Sequence, residues 1–147
     1  MRNPHLKLPS SGPVSHVAYR VPFYDTDAMG IVHHANYVRY LELSRVRFLE
    51  DFDEPYTAYI KQKFHVVVTR VDVKLKRATR FDEQLDIACW LQRVGGATLV
   101  FGYQINCGNA VSASAITEHG IVNFDGRAMR LPEERRTRLS SLVIDAE

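Results

Sequence analysis

The chain has 147 residues, of which 46% are hydrophobic and 24% are charged, and its formal net charge is +2. These values are typical of one globular domain with a sizeable core, and they exclude the strong positive field of many nucleic-acid-binding proteins. No run of about 18 apolar residues is present, and the N-terminus lacks the apolar stretch of a signal peptide. We therefore expect no membrane span, no nucleic-acid partner and a cytoplasmic location.

The N-terminal residues 1–14 are rich in proline and glycine and show no periodicity. This pattern predicts a flexible arm, with residues 15–147 forming a single domain. An extended segment is predicted over residues 16–24, where every second residue is apolar and faces one side: Val17, Tyr19, Val21 and Phe23. Pro22 within this segment favours an edge position or a bulge, because proline cannot donate to a sheet.

A long helix is predicted after the polar junction; Asn36 is a suitable N-cap, and the alternative is that Ala35 or His34 is already helical. Its apolar face repeats at three- and four-residue steps, at Tyr37, Tyr40, Leu41, Ser44, Phe48, Leu49 and Phe52. Pro55 ends the helix, and residues 56–63 form a short helical or irregular piece.

Four strands follow the helix. Alternating apolar residues predict them over residues 64–76, 84–94, 97–107 and 110–124. Short turns are expected between them, and Pro132 with two following glutamates predicts a short C-terminal helix. The fold class is therefore α+β, with a five-stranded antiparallel sheet and one long helix. One such helix covers one face of the sheet only, which predicts at least a homodimer.

Two cysteines, Cys89 and Cys107, each occur alone within strand-like apolar alternation, without a CxxC motif. We interpret them as buried thiols in a reducing compartment, and a disulfide between neighbouring strands stays open as an alternative. Neither lies at a helix N-terminus that would activate it as a nucleophile.

The junction between the first strand and the long helix is unusually polar. Residues 24–37 read YDTDAMGIVHHANY, with two carboxylates, a glycine and two imidazoles. Polar groups at such a junction are costly to bury unpaired, and functional sites collect titratable groups. The Asp25–Asp27 segment could be a simple turn, and Asp25, Asp27 and His34 could form a mixed zinc site, although HExxH spacing is absent.

Other catalytic arrangements are missing from the sequence. There is no GxSxG motif for a serine nucleophile and no Gly-rich phosphate loop. A carboxylate is left as the best candidate for the chemistry. Gly30 permits close backbone approach, and the free N–H groups at the helix start can stabilise an oxyanion. Asp27 could then act as general base on water, or attack a carbonyl itself.

The segment from Asp25 to Tyr37 closely resembles the signature of the hotdog-fold 4-hydroxybenzoyl-CoA thioesterase-like family. The resemblance extends over about residues 16–138, including the GRAMRLP segment near the end. It implies a sheet wrapped around the central helix, and a homodimer or homotetramer. It also implies hydrolysis of a short- or medium-chain or aromatic acyl-CoA, with no metal or organic cofactor.

The resemblance assigns roles to individual residues. It makes Asp27 the catalytic carboxylate and His34 the oxyanion donor, through its backbone N–H, with the ring orienting water or the thioester. A subgroup of the family has a tyrosine at the position of His33, and this chain departs from it. Tyr24, Gly30, His33 and Asn36 are expected to shape the substrate pocket. In the family, basic surface residues hold the nucleotide phosphates, and position in the chain suggests Arg77 and Arg80 for that role, ahead of Arg127 and Arg130.

Three alternatives to this function are weighed. The chain could be a non-catalytic binding module for acyl-CoA or acyl carrier protein, because one fold hosts several functions. It could instead be a thioesterase that acts on acyl carrier protein. A hotdog dehydratase is disfavoured, because residues 37–52 contain no histidine.

Overall fold

The computed structural model describes residues 7–144 and contains one five-stranded antiparallel sheet with three helices. The strands are β1 (Ser15–Arg20), β2 (Phe64–Leu75), β3 (Gln84–Val94), β4 (Thr98–Cys107) and β5 (Ala110–Asn123). The helices are α1 (Asn36–Phe52), α2 (Tyr56–Lys61) and α3 (Glu133–Ser140). This is the predicted architecture, including the short C-terminal helix.

Helix α1 lies on the inner face of the sheet with the predicted stripe turned inward. Tyr37, Tyr40, Leu41, Ser44, Phe48 and Leu49 are buried. The Phe48 ring meets Phe101 of β4 edge to face at 5.7 Å, and the Ser44 hydroxyl donates to the Ile87 carbonyl of β3. These contacts join the apolar face of α1, which repeats every three to four residues, to the apolar face of the sheet, which repeats every second residue. The two faces together form a single core.

The first strand is shorter than predicted. It ends at Arg20, and Phe23–Asp25 form a single 3₁₀ turn in which the Asp25 N–H donates to the Pro22 carbonyl. Phe23 is exposed and does not continue the inner face. The prediction of an extended segment to residue 24 is wrong because Pro22 ends the ladder, and β1 does lie at a sheet edge.

Asn36 is the first residue of α1 and not its N-cap, which is Ala35. The Asn36 side chain donates to the Asp25 carbonyl at 2.8 Å instead of capping the helix. A tertiary contact has therefore replaced the local cap that the sequence favours.

The strand order is β1-β3-β4-β5-β2, so β2 pairs with β5 and not with β3. Short turns join β3 to β4 and β4 to β5, but residues 76–83 cross from one side of the sheet to the other. The expectation of short turns between all four strands is wrong for this connection. The crossing chain passes the start of α1, where Val32 N–H donates to the Thr79 carbonyl at 2.7 Å.

Three further expectations concern the termini, the thiols and membranes. Residues 7–14 form neither helix nor strand, residues 1–6 and 145–147 lie outside the described part, and the arm's flexibility stays a prediction. Both cysteines are free; Cys89 is buried as expected, but Cys107 is only half-buried because it ends β4. Among the described residues, no helix is long and apolar enough to cross a membrane.

A buried cation joins the three helices at the end of α1. The Arg135 side chain of α3 is 2% exposed and makes ion pairs with Asp53 and Glu54. It also donates to Gln62 at 2.7 Å and stacks on the Tyr59 ring at 4.0 Å. Burial of such a charge is tolerated because carboxylates and hydrogen bonds surround it.

We expect Arg135→Gln to lower the free energy of unfolding by about 3–5 kcal/mol, because the Asp53 carboxylate would stay buried without its main partner. The matched control is Arg136→Gln at the exposed neighbouring position, which should change stability by less than about 0.5 kcal/mol. Urea denaturation of both variants tests this; equal midpoints for Arg135→Gln and the wild type would contradict the assignment.

Candidate active site

The loop between the 3₁₀ turn and α1 folds back on itself around Asp27. The Asp27 N–H donates to the Ile31 carbonyl at 2.9 Å, and the Asp27 carbonyl accepts from Gly30 N–H at 2.9 Å. Gly30 has a φ of 77°, a left-handed conformation that glycine adopts without strain. The sequence therefore needs glycine at this position for its backbone angle, since no atom lies within 4 Å of the place where a Cβ would stand.

The Asp27 carboxylate is half-buried and only partly engaged. Its Oδ1 accepts a hydrogen bond from Met29 N–H at 2.8 Å. Across residues 7–144, no donor contacts Oδ2. One oxygen thus fixes the rotamer and the other is free to interact with water or substrate.

The backbone N–H groups at the start of α1 are nearly all occupied. Val32 donates to Thr79, His33 to the Asp25 carbonyl, and Asn36 to the His33 carbonyl. The Ala35 N–H donates to Nδ1 of the His33 ring at 3.1 Å. The N–H of His34 has no acceptor within the described chain, so an external oxygen can take it.

Asp27 and His34 line the same cavity, which has a volume of about 280 Å³. Its other walls come from the same loop, from the first turn of α1, and from the end of β2 with the crossing connection. These are Met29, Ile31, Val32, Tyr37, Leu75, Lys76, Arg77 and Ala78. The crossover of residues 76–83 is what brings basic residues to the polar junction.

The other residues selected from the sequence lie at varying distances from this cavity. Gly30 shapes the loop. The His33 ring stacks on the His34 ring with centroids 4.3 Å apart, and its Nδ1 accepts a hydrogen bond from the Ala35 N–H. Asn36 is turned to the Asp25 carbonyl. Tyr24 is 82% exposed and is not part of the cavity wall.

Of the two arginines suggested for phosphate binding, Arg77 lines the cavity and Arg80 does not. The Arg77 guanidinium is bound by Glu83 at 2.8 and 3.2 Å, and this contact raises its pKa. Arg80 is exposed, and its backbone forms an isolated antiparallel β-bridge with Ile31 of the loop. Lys76 also lines the cavity and was not among the predicted residues, although it belongs to the basic run from Lys74 to Arg80.

A comparison with protein families now bears on this geometry. Residues 21–139 match the model of the thioesterase-like superfamily. The chain belongs to that superfamily. The prediction of a hotdog thioesterase is confirmed, and at family level the chain is a thioester hydrolase.

Individual relatives agree with this assignment. The acyl-CoA thioester hydrolase YbgC of Escherichia coli O6:H1 is 33% identical over 86 residues, which cover 58% of this chain and 64% of YbgC. The 1,4-dihydroxy-2-naphthoyl-CoA hydrolase of Nostoc punctiforme is 28% identical, over 86% of this chain and 87% of that one. The structure of the protein TT1821 of Thermus thermophilus has a TM-score of 0.84 and 30% identity, covering 89% of this chain and 98% of that one.

In this thioesterase-like chain, a second aspartate supports the loop from behind. Asp25 is 1% exposed, and its Oδ2 accepts from the hydroxyls of Tyr19 and Tyr40, each at 2.6 Å. Its Oδ1 accepts from Arg39 at 3.2 Å. These donors occupy the carboxylate, so Asp25 is unsuited to the zinc site left open above. Sequence reasoning noted Asp25 but missed its structural role, since the donors come from β1 and α1.

The environment of Asp25 also shifts its titration. Burial alone would raise the pKa of Asp25, but the hydrogen bonds from Tyr19 and Tyr40 and the charge of Arg39 outweigh it, and the pKa is lowered. Because the folded pKa is lower than the unfolded one, this carboxylate stabilises the fold above its ordinary pKa. That stabilisation is lost as the pH falls through the lowered value.

We expect Asp25→Asn to destabilise the fold by about 2 kcal/mol at neutral pH, because charge-assisted hydrogen bonds to a buried group are lost. Thermal unfolding of wild type and variant from neutral pH down to about pH 3 measures the difference. The gap between them should narrow in acid, where the wild-type carboxylate also becomes protonated. A gap that stays constant with pH would contradict the ionised state of Asp25.

Proposed function

We propose that the chain hydrolyses acyl-CoA thioesters, with Asp27 as the catalytic carboxylate and the His34 backbone N–H as the oxyanion donor. One observation carries the proposal: a carboxylate with a free oxygen and a backbone N–H without an acceptor line one cavity. Acyl transfer to water requires these two functions, and neither requires a metal ion or an organic cofactor.

In the proposed mechanism, Asp27 Oδ2 takes a proton from a water molecule while the water oxygen attacks the thioester carbonyl carbon. The carbonyl oxygen becomes an oxyanion and accepts the His34 N–H, whose position at the start of α1 adds the favourable end of the helix dipole. The carbon–sulfur bond then breaks, and the proton held by Asp27 goes to the departing CoA sulfur. The products are a carboxylic acid and free CoA, and Asp27 returns to its ionised form.

The charge around the cavity supports an acyl-CoA substrate. Lys76 and Arg77 stand on its wall, and Arg80 is exposed next to the loop. Phosphate groups of CoA are anionic, and lysine and arginine are the side chains that bind phosphates best. Arg80 is the stronger phosphate candidate of the two predicted arginines, because Glu83 already pairs with Arg77. An acyl carrier protein substrate would present the same pantetheine arm, so it stays an alternative to acyl-CoA. The cytoplasmic location of the chain also stays a prediction.

We expect Asp27→Asn to lower kcat for acyl-CoA hydrolysis by on the order of 10² or more, because the variant keeps the side-chain size and removes the base. CoA release is measured with a chromogenic thiol reagent over acyl groups from acetyl to aromatic. Asp125→Asn, at an exposed turn, is the matched control and should keep the wild-type rate.

Wild-type hydrolysis by Asp27→Asn would exclude the assignment of Asp27. Absence of CoA release from the wild type, with binding of acyl-CoA retained, would favour the non-catalytic binding module. Label found in the Asp27 side chain after single-turnover hydrolysis in ¹⁸O-labelled water would establish direct attack by Asp27, with water then adding to the Asp27 carbonyl of the mixed anhydride.

We also propose that the functional form is at least a homodimer built on β2. This strand lies at the end of the sheet order and presents exposed apolar side chains at Val67, Val68, Val71 and Leu75. A long edge strand with exposed apolar residues readily pairs with another chain. Antiparallel pairing of two β2 strands about a two-fold axis would satisfy the free backbone edge and bring these side chains beside those of the partner strand.

Sedimentation equilibrium tests this arrangement. We expect the wild type to sediment as a dimer or tetramer, and Val71→Lys to shift it towards monomer, because the charge would be buried at the new interface. The control is Ile60→Lys on α2, which replaces a similarly exposed apolar residue outside the proposed interface. A monomeric wild type would overturn the proposed interface.

A further inference from the structure

A second cavity lies between α1 and the beginning of β2. It has a volume of about 260 Å³, and its lining consists of Glu42, Arg45, Val46, Leu49, Tyr56 and Val66. The walls are largely apolar, with one cation and one carboxylate among them. Neither charged group takes part in the mechanism proposed for Asp27.

The cation in this cavity, Arg45, is poorly satisfied. Its side chain is 12% exposed. In the described structure its guanidinium makes one contact with the Tyr103 hydroxyl at 3.5 Å and one with Glu42 Oε1 at 3.8 Å. A guanidinium carries five N–H donors, and both of these distances are at or beyond the limit of an ordinary hydrogen bond. Arg45 therefore has donors to spare at the wall of a cavity.

The groups behind Arg45 do not supply a negative charge. The Tyr103 hydroxyl contacts Thr117 Oγ1 at 2.6 Å, and Thr117 Oγ1 contacts Nε2 of His119 at 2.7 Å. Burial and the charge of Arg45 lower the pKa of His119 to about 3, and burial raises the pKa of Tyr103. Both side chains are uncharged at neutral pH, so Arg45 faces a neutral network on its inner side. Its anionic neighbour, Glu42, is mostly exposed and 3.8 Å away, so the cost of nearly burying the Arg45 cation is only weakly compensated.

An apolar strip on β2, formed by Val66, Val68, Val71 and Leu75, runs between this cavity and the one at Asp27. Tyr37 lines the Asp27 cavity, and Arg45 follows it by two four-residue steps on α1, roughly 12 Å along the helix axis. On β2, Leu75 lines the first cavity and Val66 the second.

Apolar residues between them on β2 lie on the inner face of the sheet. Val68 pairs with His119 and Val71 with Thr117 in the sheet register, so each shares the inner face with its partner. Both valines are exposed in the single chain and form an uncovered apolar path along this face of β2. Pairing of two chains through β2 would cover this path.

We propose that Arg45 binds a carboxylate at the far end of the acyl group, so that the enzyme prefers ω-carboxyacyl thioesters to plain acyl thioesters of the same length. The inference rests on the acyl-CoA hydrolysis proposed above. The methylene chain lies on the apolar strip, and the terminal carboxylate accepts two N–H groups of the planar guanidinium. The substrate carboxylate displaces the Glu42 side chain. Glu42 is easily displaced because it is mostly exposed and its nearest oxygen lies 3.8 Å from the Arg45 guanidinium.

Paired substrates test the proposal in the whole protein. We expect kcat/KM for dodecanedioyl-CoA to exceed that for dodecanoyl-CoA by about tenfold or more, the worth of a hydrogen bond to a charged group. Arg45→Gln should abolish this preference by lowering only the value for dodecanedioyl-CoA. Arg45→Lys should retain part of it, since the charge stays but the planar fork is lost. Glu42→Gln should increase it, because the competing carboxylate is removed.

The control is Arg47→Gln, on the same helix but outside this cavity, which should leave the preference unchanged. Equal kcat/KM values for the two substrates in the wild type would overturn the proposal. So would an equal loss on both substrates in Arg45→Gln and Arg45→Lys, which is the result of a purely structural role.

Calorimetric binding of free dodecanedioate and dodecanoate separates this proposal from the hydrolysis itself. Tighter binding of dodecanedioate by the wild type, lost in Arg45→Gln, supports the Arg45 site even if neither thioester is cleaved. That combination would reject acyl-CoA hydrolysis and keep the anion subsite. Equal binding of both acids by the wild type would reject the subsite and leave the assignment of Asp27 standing.

Discussion

The Asp25 carboxylate is removed from water where the 3₁₀ turn meets α1, and two tyrosines and an arginine donate to it. The Asp25 carbonyl at the same time accepts from His33 N–H and from the Asn36 side chain. One residue therefore fixes the loop to β1 and to α1 together. The positions of Asp27 and His34 depend on this attachment, because both belong to the chain that Asp25 holds. A buried ionised group that is fully hydrogen-bonded gives the loop one geometry, since alternatives would leave the charge unsatisfied.

The connection between β2 and β3 is the second constraint on the site. Because β2 pairs with β5 at the far side of the sheet, the chain must cross back to reach β3. On its way, the Thr79 carbonyl accepts Val32 N–H and the Thr79 hydroxyl accepts from Tyr37. The crossing chain thus completes the cavity wall and adds basic side chains beside the carboxylate. The candidate site is a product of topology as much as of the polar motif.

Two separate electrostatic environments lie along α1. At its start, His34 with its unpaired N–H and Asp27 with its carboxylate line one cavity, an arrangement suited to a reaction in which negative charge develops on oxygen. Three turns further on, Arg45 sits above neutral hydroxyls and a neutral imidazole. The first environment fits the reacting end of a thioester and the second a distal anionic group. The apolar inner face of β2 joins them, so one strand serves both the proposed acyl path and the proposed subunit contact.

The sequence by itself determined the elements with strong periodicity. The buried stripe of α1 and the strands from 84 to 123 follow from apolar spacing, because side-chain direction is fixed by helix and strand geometry. The polar junction also marked residues 24–37 as a candidate site, since polar groups are costly to bury unpaired at a helix start, and the family resemblance selected Asp27 and His34 within it. Gly30 was expected from the sequence to permit close backbone approach, and the structure adds that its left-handed backbone angle favours glycine.

Only the tertiary structure decided what depends on residues distant in the chain. The end of β1, the role of Asn36 and the donors to Asp25 all follow from contacts across 6 to 15 residues or more, which local propensity does not encode. The pairing of β2 with β5 placed Lys76 and Arg77 on the cavity wall, and no sequence period carries that information. Arg45 and Arg135 read as ordinary polar residues of helices. Their burial is set by the elements that pack over them, and burial is what turns a common surface charge into a structural or binding group.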